Sequence, residues 1–237
     1  MSTVKARKPE SWKIFDDIAP TYDFLNHFLS LGIDVLWRKN FLRNLPNKQD
    51  LVAYDLATGT GDVALALAKD SKIKTVTGID LSVGMLEYGK QKVKKNKLEN
   101  KIFMEEGDGV TIPKDDNSAD VITVAFGIRN FPDPQTSLIN MVRVLRNGGR
   151  AMIMEFSLPK NFIIRFFYLL YFRHILPAIG NAFSKNKDAY TYLNESVEDF
   201  PYGKDFTDMM VVAGMKNVRI VPLSFGIASL YIGDVEK

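Results

Sequence analysis

The sequence predicts an α/β fold, in which a mostly parallel β-sheet is covered by helices on both faces. Short apolar runs alternate with helical segments between residues 51 and 156, as parallel strands do when right-handed helical crossovers join them. Near the C-terminus, two further apolar runs follow each other without a helix between them, which predicts an antiparallel hairpin. The chain has 237 residues and fits a single α/β domain.

The elements follow from apolar runs and from the residues that stop them. The N-terminal segment, residues 11–46, is predicted to be helical and to end at Pro46. Strands are predicted at 51–56, 74–79, 102–104, 120–126 and 150–156, and the hairpin strands at 218–221 and 227–233. Helices are predicted at 62–68, 82–95, 135–145, 162–176 and 206–213. Asn147 and the two glycines after it are predicted to close the 135–145 helix.

Composition excludes several kinds of site. The chain has no cysteine and two histidines, so disulfides, thiol nucleophiles and cysteine-ligated zinc are excluded and no metal site is expected. A net charge of +3 is too small to indicate a nucleic-acid partner. The most apolar stretch, residues 162–179, contains Arg165, Arg173 and His174, so we expect no membrane-spanning helix. The N-terminus has no secretory signal pattern, and we therefore predict a cytoplasmic protein.

A glycine-rich segment indicates a ligand site where the first predicted strand meets the next helix. Residues 55–62 read Asp-Leu-Ala-Thr-Gly-Thr-Gly-Asp. Gly59 and Gly61 permit unusual backbone angles and a close approach of a ligand to the main chain. Asp80 ends the second predicted strand and can accept hydrogen bonds from both hydroxyls of a ribose. Asp108, after the third strand, can accept one from the amino group of an adenine.

Two cofactors fit this arrangement. The pattern Gly-x-Gly-x-x-Ala from Gly59, with Asp80 21 residues later, matches the dinucleotide fingerprint of NAD-binding proteins. Asp55 and Asp62 flank the glycines, and acids there suit the ammonium and sulfonium of S-adenosylmethionine but would repel a pyrophosphate. S-adenosylmethionine is therefore the favoured cofactor, and NAD is the alternative. In a third interpretation, Asp80 binds no ligand and only caps the next helix.

Three further segments resemble the ubiquinone/menaquinone C-methyltransferase family. Residues 22–30 read Tyr-Asp-Phe-Leu-Asn-His-Phe-Leu-Ser and are followed by Trp37, which is similar to the N-terminal signature of the family. Residues 143–149, Arg-Val-Leu-Arg-Asn-Gly-Gly, together with the Glu-Phe-Ser of 155–157, resemble its second signature. Residues 126–130, Phe-Gly-Ile-Arg-Asn, resemble its strand-four segment. These motifs are long and well separated, so chance similarity is improbable.

The resemblance, which covers about residues 11–235, implies a class I S-adenosylmethionine-dependent methyltransferase. The implied fold is one Rossmann-like domain, 1–237, with a mostly parallel seven-stranded sheet and an antiparallel last strand. The implied reaction is methylation of a ring carbon of a prenylated quinol, which is demethylmenaquinol, the benzoquinol of the ubiquinone pathway, or both. The alternatives are another lipophilic acceptor, such as a sterol or a phospholipid headgroup, an NAD(P)-dependent oxidoreductase, and a non-enzymatic scaffold.

The resemblance also implies cofactor positions. They correspond in this chain to Thr58, Gly59, Asp80, Asp108 and Gly109. Gly61 and Asp62 of the glycine loop and Ala125 complete the predicted set. Ala125 stands where the family often has serine, so only a backbone contact is expected there.

A quinol carbon becomes nucleophilic when the neighbouring hydroxyl loses its proton, and the site must therefore stabilise an oxyanion or remove a proton. Arg129 and Asn130 follow the fourth predicted strand, at the edge where ligands bind in open α/β sheets. We predict that Arg129 stabilises the quinol oxyanion and that Asn130 orients it. The alternative for Arg129 is a structural pair with an acid such as Glu155. Gly127 is predicted to leave room for the substrate.

The N-terminal signature contributes two further candidates. Tyr22 and Asp23 are predicted to close over the site from a helical cap formed by residues 1–46. Asp23 is a candidate base, with helix capping as its alternative, and the role of general base is otherwise unassigned. His27 is expected to be a structural histidine. Asp34 stands where the family usually shows histidine, which removes any role for a histidine at that position.

The segment from about 158 to 204 is predicted to form a helical substrate lid. Its residues 162–172 are richer in aromatic side chains than an ordinary surface helix, with core packing as the alternative. Lys90, Lys94, Lys97 and Lys101 have helical spacing and are predicted to form a solvated face, with contact to anionic lipid as the alternative. Peripheral membrane contact at the inner leaflet and a homodimer are left open, as are the ring type and the length of the prenyl tail.

Overall fold

Seven strands form one sheet in the described residues of a computed structural model, which are 32–175 and 196–237 with Asp16, Asp23, His27 and Ser30. The strands are β1 (Leu51–Leu56), β2 (Ile73–Asp80), β3 (Ile102–Glu106), β4 (Ala119–Ala125), β5 (Leu145–Phe156), β6 (Lys216–Leu223) and β7 (Ala228–Asp234). Their order is β3-β2-β1-β4-β5-β7-β6. The first five are parallel, and β7 is antiparallel to both β5 and β6. The predicted parallel sheet and C-terminal antiparallel hairpin are confirmed.

Helices cover both faces of this sheet. They are α1 (Ile33–Arg43), α2 (Asp62–Ala68), α3 (Val83–Lys95), α4 (Pro134–Val144), α5 (Phe162–Leu170) and α6 (Lys204–Val212). On one face, Trp37 and Phe41 of α1 belong to the same apolar cluster as α2. On the other face, Leu138 of α4 and Phe206 of α6 belong to a second cluster. The sheet therefore has two cores, which explains why its central strands β1 and β4 are mostly apolar.

The prediction that Asn147 and the two glycines after it close α4 is wrong. The helix ends at Val144 and β5 begins at once, so Asn147, Gly148 and Gly149 lie within the strand. Gly148 donates its N–H to the carbonyl of Val235 (2.8 Å), and Val235 donates back to Gly149 (2.9 Å). Gly148 has φ = 76°, which a glycine adopts at low cost. The same residue types that stop a helix here form an irregularity in a strand, at a shift in the β4–β5 register.

The two segments predicted to cap and cover the site are described in part. In the N-terminal segment, α1 and the helical positions Asp16, Asp23 and His27 are described, whereas Tyr22 lies outside the described residues. The helix predicted at 162–176 is α-helical to Leu170 and continues as a π-helical turn from Tyr171 to Ile175. Within the described residues, no helix is both long enough and apolar enough to cross a bilayer.

Candidate active site

The glycine loop between β1 and α2 has a backbone that needs its glycines. Ala57, Gly59 and Gly61 all have positive φ, at 50°, 56° and 81°. A side chain at Gly61 would come within 3.3 Å of Met104. Gly89 lets α3 pack against the loop, because a Cβ there would lie 3.4 Å from the backbone of Thr60. The loop is thus held between its neighbours at the carboxyl end of β1, with a conformation that L-side chains rarely adopt.

Asp55 lies beneath this loop as a fully buried carboxylate. The hydroxyl of Thr58 donates to one of its oxygens and the hydroxyl of Thr123 to the other, both at 2.6 Å. Burial raises the pKa of Asp55 to about 6, although both hydroxyls favour the charged form. The predicted cofactor position Thr58 is therefore also part of the support of the loop.

Asp80 fixes the loop from the end of β2. Its Oδ2 accepts from the N–H of Gly59 (2.8 Å) and its Oδ1 from the N–H of Ser82 (2.9 Å), while burial raises its pKa. A carboxylate has about four acceptor positions, so two bonds leave capacity for the hydroxyls of a ribose. The hydroxyl of Ser82 accepts from Met85 N–H (3.1 Å), so Ser82 is the side chain that caps α3 and Asp80 is not.

Asp108 and Gly109 follow β3 at the same edge of the sheet, since Asp80 and Glu106 are paired at the ends of β2 and β3. Asp108 accepts from the N–H of Val110 (2.9 Å), which shapes the turn. A Cβ at Gly109 would lie 2.4 Å from the ring of Phe131. Glycine is therefore required for the turn to pack on that ring. The predicted adenine side of the site consists of the backbone of this turn and the carboxylate of Asp108.

The acids around the loop are paired, which the sequence did not reveal. Asp62 accepts from Lys92 and lies 3.3 Å from Arg38 Nη2. Lys92 also binds Asp23 Oδ2 (2.7 Å), and Asp23 accepts from the hydroxyl of Thr60. The predicted approach of Asp23 to the site is thus a direct contact with the glycine loop. Asp62 shares both cations with other carboxylates, Lys92 with Asp23 and Arg38 with Asp34, so its negative charge is only partly compensated.

Asp34 organises the start of α1. It is buried and accepts from Ser30 Oγ (2.8 Å), Arg38 Nη2 (2.6 Å) and His27 Nδ1 (2.6 Å). Burial raises the pKa of Asp34, but the Ser30 hydrogen bond and the charges of Arg38 and His27 outweigh it, so the pKa is lowered. His27 therefore has a structural partner, as expected, and Asp34 links the N-terminal signature to the loop through Arg38.

Arg129 lies in the 3₁₀ turn Ile128–Asn130 that follows β4, and its side chain is 5% exposed. Nη1 donates to Glu155 (2.9 Å) and to the carbonyl of Phe126, and the guanidinium lies over the ring of Phe156 at 5.5 Å. Nε has no hydrogen-bond partner among the described residues. This geometry matches the structural alternative, a pair with Glu155, and leaves one buried donor that the pair does not use.

The prediction for Gly127 is wrong. A Cβ at Gly127 would lie 2.5 Å from the Cβ of Ala57, so the space beside it is filled by the glycine loop. Asn130, half-buried beside Arg129, donates its backbone N–H to Gly127 (2.9 Å). Ala125 ends β4 in register with Met154 of β5. The turn after β4 and the glycine loop thus pack directly on each other, which places Arg129 and Asn130 beside the predicted cofactor positions.

Five aromatic side chains form a continuous row along this edge of the sheet. Trp37 lies 5.8 Å from Phe126, Phe126 4.5 Å from Phe156, Phe156 6.3 Å from Phe172, and Phe172 5.2 Å from Tyr168, measured between ring centroids. This aromatic row connects α1 to α5. The hydroxyl of Tyr168 is buried without a partner among the described residues, and burial raises its pKa. The row supplies an apolar wall next to the glycine loop.

Lys92 and Asp16 were missed from the sequence. Lys92 follows the buried Gly89 by one helical turn, and that spacing is a signal that it points toward the loop. Asp16 accepts from Gly84 N–H (2.9 Å) at the start of α3, and nothing local in the sequence reveals this. The predicted lysine face also needs correction, because α3 ends at Lys95 and Lys101 donates to the carbonyl of Asp70 (3.1 Å).

The strand order, the reversed β7 and a glycine loop at the carboxyl edge define a class I S-adenosylmethionine-dependent methyltransferase fold. A solved S-adenosylmethionine-dependent methyltransferase from Aquifex aeolicus superposes with a TM-score of 0.63, at 19% identity, over 96% of this chain and 98% of that one. Phosphoethanolamine N-methyltransferase 2 from Haemonchus contortus, solved with S-adenosylmethionine, gives 0.62 at 13% identity over 85% of this chain and 52% of that one. The predicted fold class is confirmed.

The chain belongs to the ubiE/COQ5 methyltransferase family, whose model matches residues 1–234. It is 44% identical to the ubiquinone/menaquinone biosynthesis C-methyltransferase UbiE of Geotalea daltonii, over 94% of each chain. It is 39% identical to the demethylmenaquinone methyltransferase of Bacteroides fragilis strain ATCC 25285, over 92% of this chain and 89% of that one. The predicted family is confirmed, and the names of these relatives agree with the predicted reaction.

Proposed function

We propose that this protein transfers the methyl group of S-adenosylmethionine to a ring carbon of a prenylated quinol. The acceptor is demethylmenaquinol, the benzoquinol of the ubiquinone pathway, or both. The observation that supports the proposal is the contact between the predicted cofactor side and the predicted acceptor side of the site. A glycine loop braced by Asp80 packs against the turn that carries Arg129, and the aromatic row lies beside both. The names of the relatives that are 44% and 39% identical to this chain refer to these reactions.

The residues at the carboxyl edge fit S-adenosylmethionine. Asp80 keeps acceptor capacity for the ribose, Asp108 offers a carboxylate on the adenine side, and Gly59 and Gly61 keep side chains away from the bound molecule. Thr58, Gly109, Asp62 and Ala125 complete the proposed contacts. When bound, S-adenosylmethionine supplies an electrophilic methyl group on a sulfonium. A site formed mainly by backbone and paired acids suits a ligand that carries both an ammonium and a carboxylate.

The acceptor side needs groups that stabilise an oxyanion and exclude water. The aromatic row provides an apolar wall for a flat quinol ring. We assign oxyanion stabilisation to Arg129, held in place by Glu155, and orientation of the ring to Asn130. Asp23, fixed by Thr60 and Lys92, is the proposed acid–base group on the cap side. The general contribution of such a site is near-attack positioning of two substrates.

The prenyl tail of the acceptor needs apolar surface, and α5 has it. Phe166, Phe167 and Leu170 are exposed at 63%, 62% and 45%, so the alternative of core packing does not apply to these three side chains. Tyr168 and Phe172 on the other side pack in the aromatic row. We assign the exposed side chains to the tail and the buried ones to the wall of the ring site.

A direct assay tests the proposal. The purified chain is incubated with S-adenosylmethionine carrying a deuterated methyl group and, in separate reactions, with demethylmenaquinol or the benzoquinol of the ubiquinone pathway. The quinone is then analysed by mass spectrometry. The expected product carries the label on a ring carbon. Asp80→Ala should weaken S-adenosylmethionine binding in calorimetry by about 1.5–3 kcal/mol, the range for losing charge-assisted hydrogen bonds. Absence of labelled product from both quinol classes would overturn the proposed reaction, and unchanged affinity would remove Asp80 from the site.

A further inference from the structure

The exposed side of α5 is a continuous apolar face. Phe162, Ile163, Phe166, Phe167 and Leu170 recur at the spacing of one helical face and are between 45% and 79% exposed. We call these five side chains the α5 face. Contiguous exposed apolar surface of this kind marks an interaction site in a folded protein.

The α5 face cannot turn inward. Tyr168, on the opposite side of the helix, is buried and stacks on Phe172, which contacts Phe156 at the end of β5. Asn161 caps the helix by accepting from the N–H groups of Ile163 and Ile164. The helix is therefore held in one orientation by its packed side and its cap, with the phenylalanines outward.

A further exposed phenylalanine, outside α5, lies at the same edge of the sheet. Phe225, between β6 and β7, is 81% exposed. It has φ = 59° and follows Ser224 at φ = 44°, which are costly angles for residues with a side chain. Ser157, just before α5, donates its N–H to Ile227 (2.9 Å) and its hydroxyl to Gly226 (2.8 Å). This turn is thereby tied to the start of the α5 segment and holds Phe225 outward.

The charges around the α5 face select its partner. Residues 156–175 contain Lys160, Arg165, Arg173 and His174 and no aspartate or glutamate. Glu198 accepts from Nε and Nη2 of Arg173 (2.8 and 2.6 Å) and compensates that charge, so the charge argument rests on Lys160 and Arg165. Lys160 and Arg165 are exposed. A second copy of the chain packed symmetrically on this face would bring like charges together, whereas an anionic lipid surface complements them. With nine residues, α5 is also too short to span a bilayer.

We propose that the α5 face and Phe225 insert into the headgroup boundary of an anionic membrane, with α5 lying in the membrane plane. The inference rests on the proposed function, because a long-tailed quinol resides in a bilayer and would then reach the aromatic row without crossing water. It assigns the membrane contact to α5. The lysine pattern 90–101 does not carry it, because two of its four members lie beyond the end of α3.

The test is flotation of the purified chain with vesicles, without quinol or S-adenosylmethionine. Vesicles of phosphatidylcholine with phosphatidylglycerol are compared with vesicles of phosphatidylcholine alone. We expect binding to the anionic vesicles that weakens with added salt. Phe162→Ser combined with Phe225→Ser should weaken it by about tenfold or more, because two large apolar groups no longer transfer from water. The matched control is Val211→Ser with Val212→Ser, two exposed apolar residues of α6, which should bind as the wild type does.

Each outcome separates this proposal from the proposed function. Equal binding of both double variants, with thermal melting that shows both to be folded, would overturn the α5 assignment. A wild-type chain that methylates quinol in detergent but does not float would overturn the membrane proposal and leave the function standing. A chain that floats but methylates no quinol would overturn the function and leave the surface as a membrane contact.

Discussion

Asp55 makes the stability of this protein depend on pH in an unusual direction. Burial raises its pKa to about 6 in the folded protein, whereas the pKa of an aspartate in an unfolded chain is about 3.9. Between these values the folded state binds more protons, so the free energy of unfolding falls as pH rises from about 4 to about 6 and stays low above that range. Most buried carboxylates with strong partners show the opposite trend.

Asp55→Asn should therefore stabilise the protein at neutral pH. Asparagine cannot ionise, and its amide can bond both the Thr58 and the Thr123 hydroxyl. We expect a gain of about 1–3 kcal/mol at about pH 7.5 that vanishes near about pH 4, where the wild-type carboxyl is protonated. Urea unfolding of both proteins across this range measures it. A difference that does not change with pH would show that the charge of Asp55 has no such effect.

Arg129 and Glu155 form a buried ion pair. Replacing both residues should therefore lower the free energy of unfolding less than replacing either one alone. Arg129→Met or Glu155→Gln alone leaves one charge buried without its partner, and we expect each to cost about 3–5 kcal/mol. The double variant should recover most of that loss. A double-mutant cycle in denaturant unfolding measures the coupling, and additive losses would contradict it.

The same double variant separates folding from catalysis at Arg129. If Arg129 stabilises the quinol oxyanion, the folded double variant should bind S-adenosylmethionine normally and lose about 10²–10³-fold in kcat. Full activity would leave Arg129 only its structural pairing with Glu155.

Two buried tyrosines should respond to the loss of their hydroxyls with opposite signs. The Tyr168 hydroxyl has no partner among the described residues, so Tyr168→Phe should raise the free energy of unfolding by about 1 kcal/mol. The Tyr231 hydroxyl accepts from Gly203 N–H (2.8 Å), so Tyr231→Phe should lower it by about 1 kcal/mol or more. Chemical unfolding of the two variants side by side measures both values. Equal losses would mean that the Tyr168 hydroxyl is satisfied in solution.

At the scale of the element, α5 is a helix whose exposed residues should affect substrate use and not folding. Phe166→Ser, Phe167→Ser and Leu170→Ser combined should raise the KM for long-tailed quinols more than for short-tailed ones. In detergent solution no bilayer contributes, so this difference reports on the tail itself. The melting temperature should stay close to that of the wild type, because the three side chains are exposed. An equal loss with both acceptors would mean that these residues do not contact the tail.

The strands and the glycine loop could be predicted because each depends on local sequence. Buried parallel strands are mostly apolar. Asp80 meets Gly59 because the carboxyl ends of neighbouring parallel strands share one edge of the sheet. Lys92 could not be paired with Asp23 in advance, because their contact requires α3 and the N-terminal segment to meet. The prediction that Asn147 closes a helix fails because asparagine and glycine occur both at helix ends and at irregular positions in strands. Local sequence does not distinguish the two.

Residue periodicity does not determine which side of α5 is exposed, and the reason is different. Its nine residues include one charged side chain, Arg165, so the sequence contains no polar face that would orient the helix. Only the packing of Tyr168 on Phe172 settles which side is buried. An element that is apolar all round is oriented by its neighbours, and its role at the surface can be inferred only after they are placed.

At the scale of the whole molecule, the sheet is completed by its last strand. β7 lies between β5 and β6 and is hydrogen-bonded to both, while β5 and β6 are not neighbours. The residues of β7 are almost fully buried, from Ala228 to Gly233. The larger part of the sheet, β3-β2-β1-β4-β5, therefore ends in an unpaired strand until Ala228–Asp234 is added.

This topology has a consequence for synthesis on the ribosome. β5 emerges well before β7, and at about 5–20 residues per second its open edge persists for on the order of ten seconds. That edge includes the apolar residues Met152, Ile153 and Met154, and unpaired apolar edges aggregate. The nascent chain should thus depend on chaperones during this interval. The need ends only when β7 has emerged and paired with β5, so the sheet cannot be completed before Ala228–Asp234 is made.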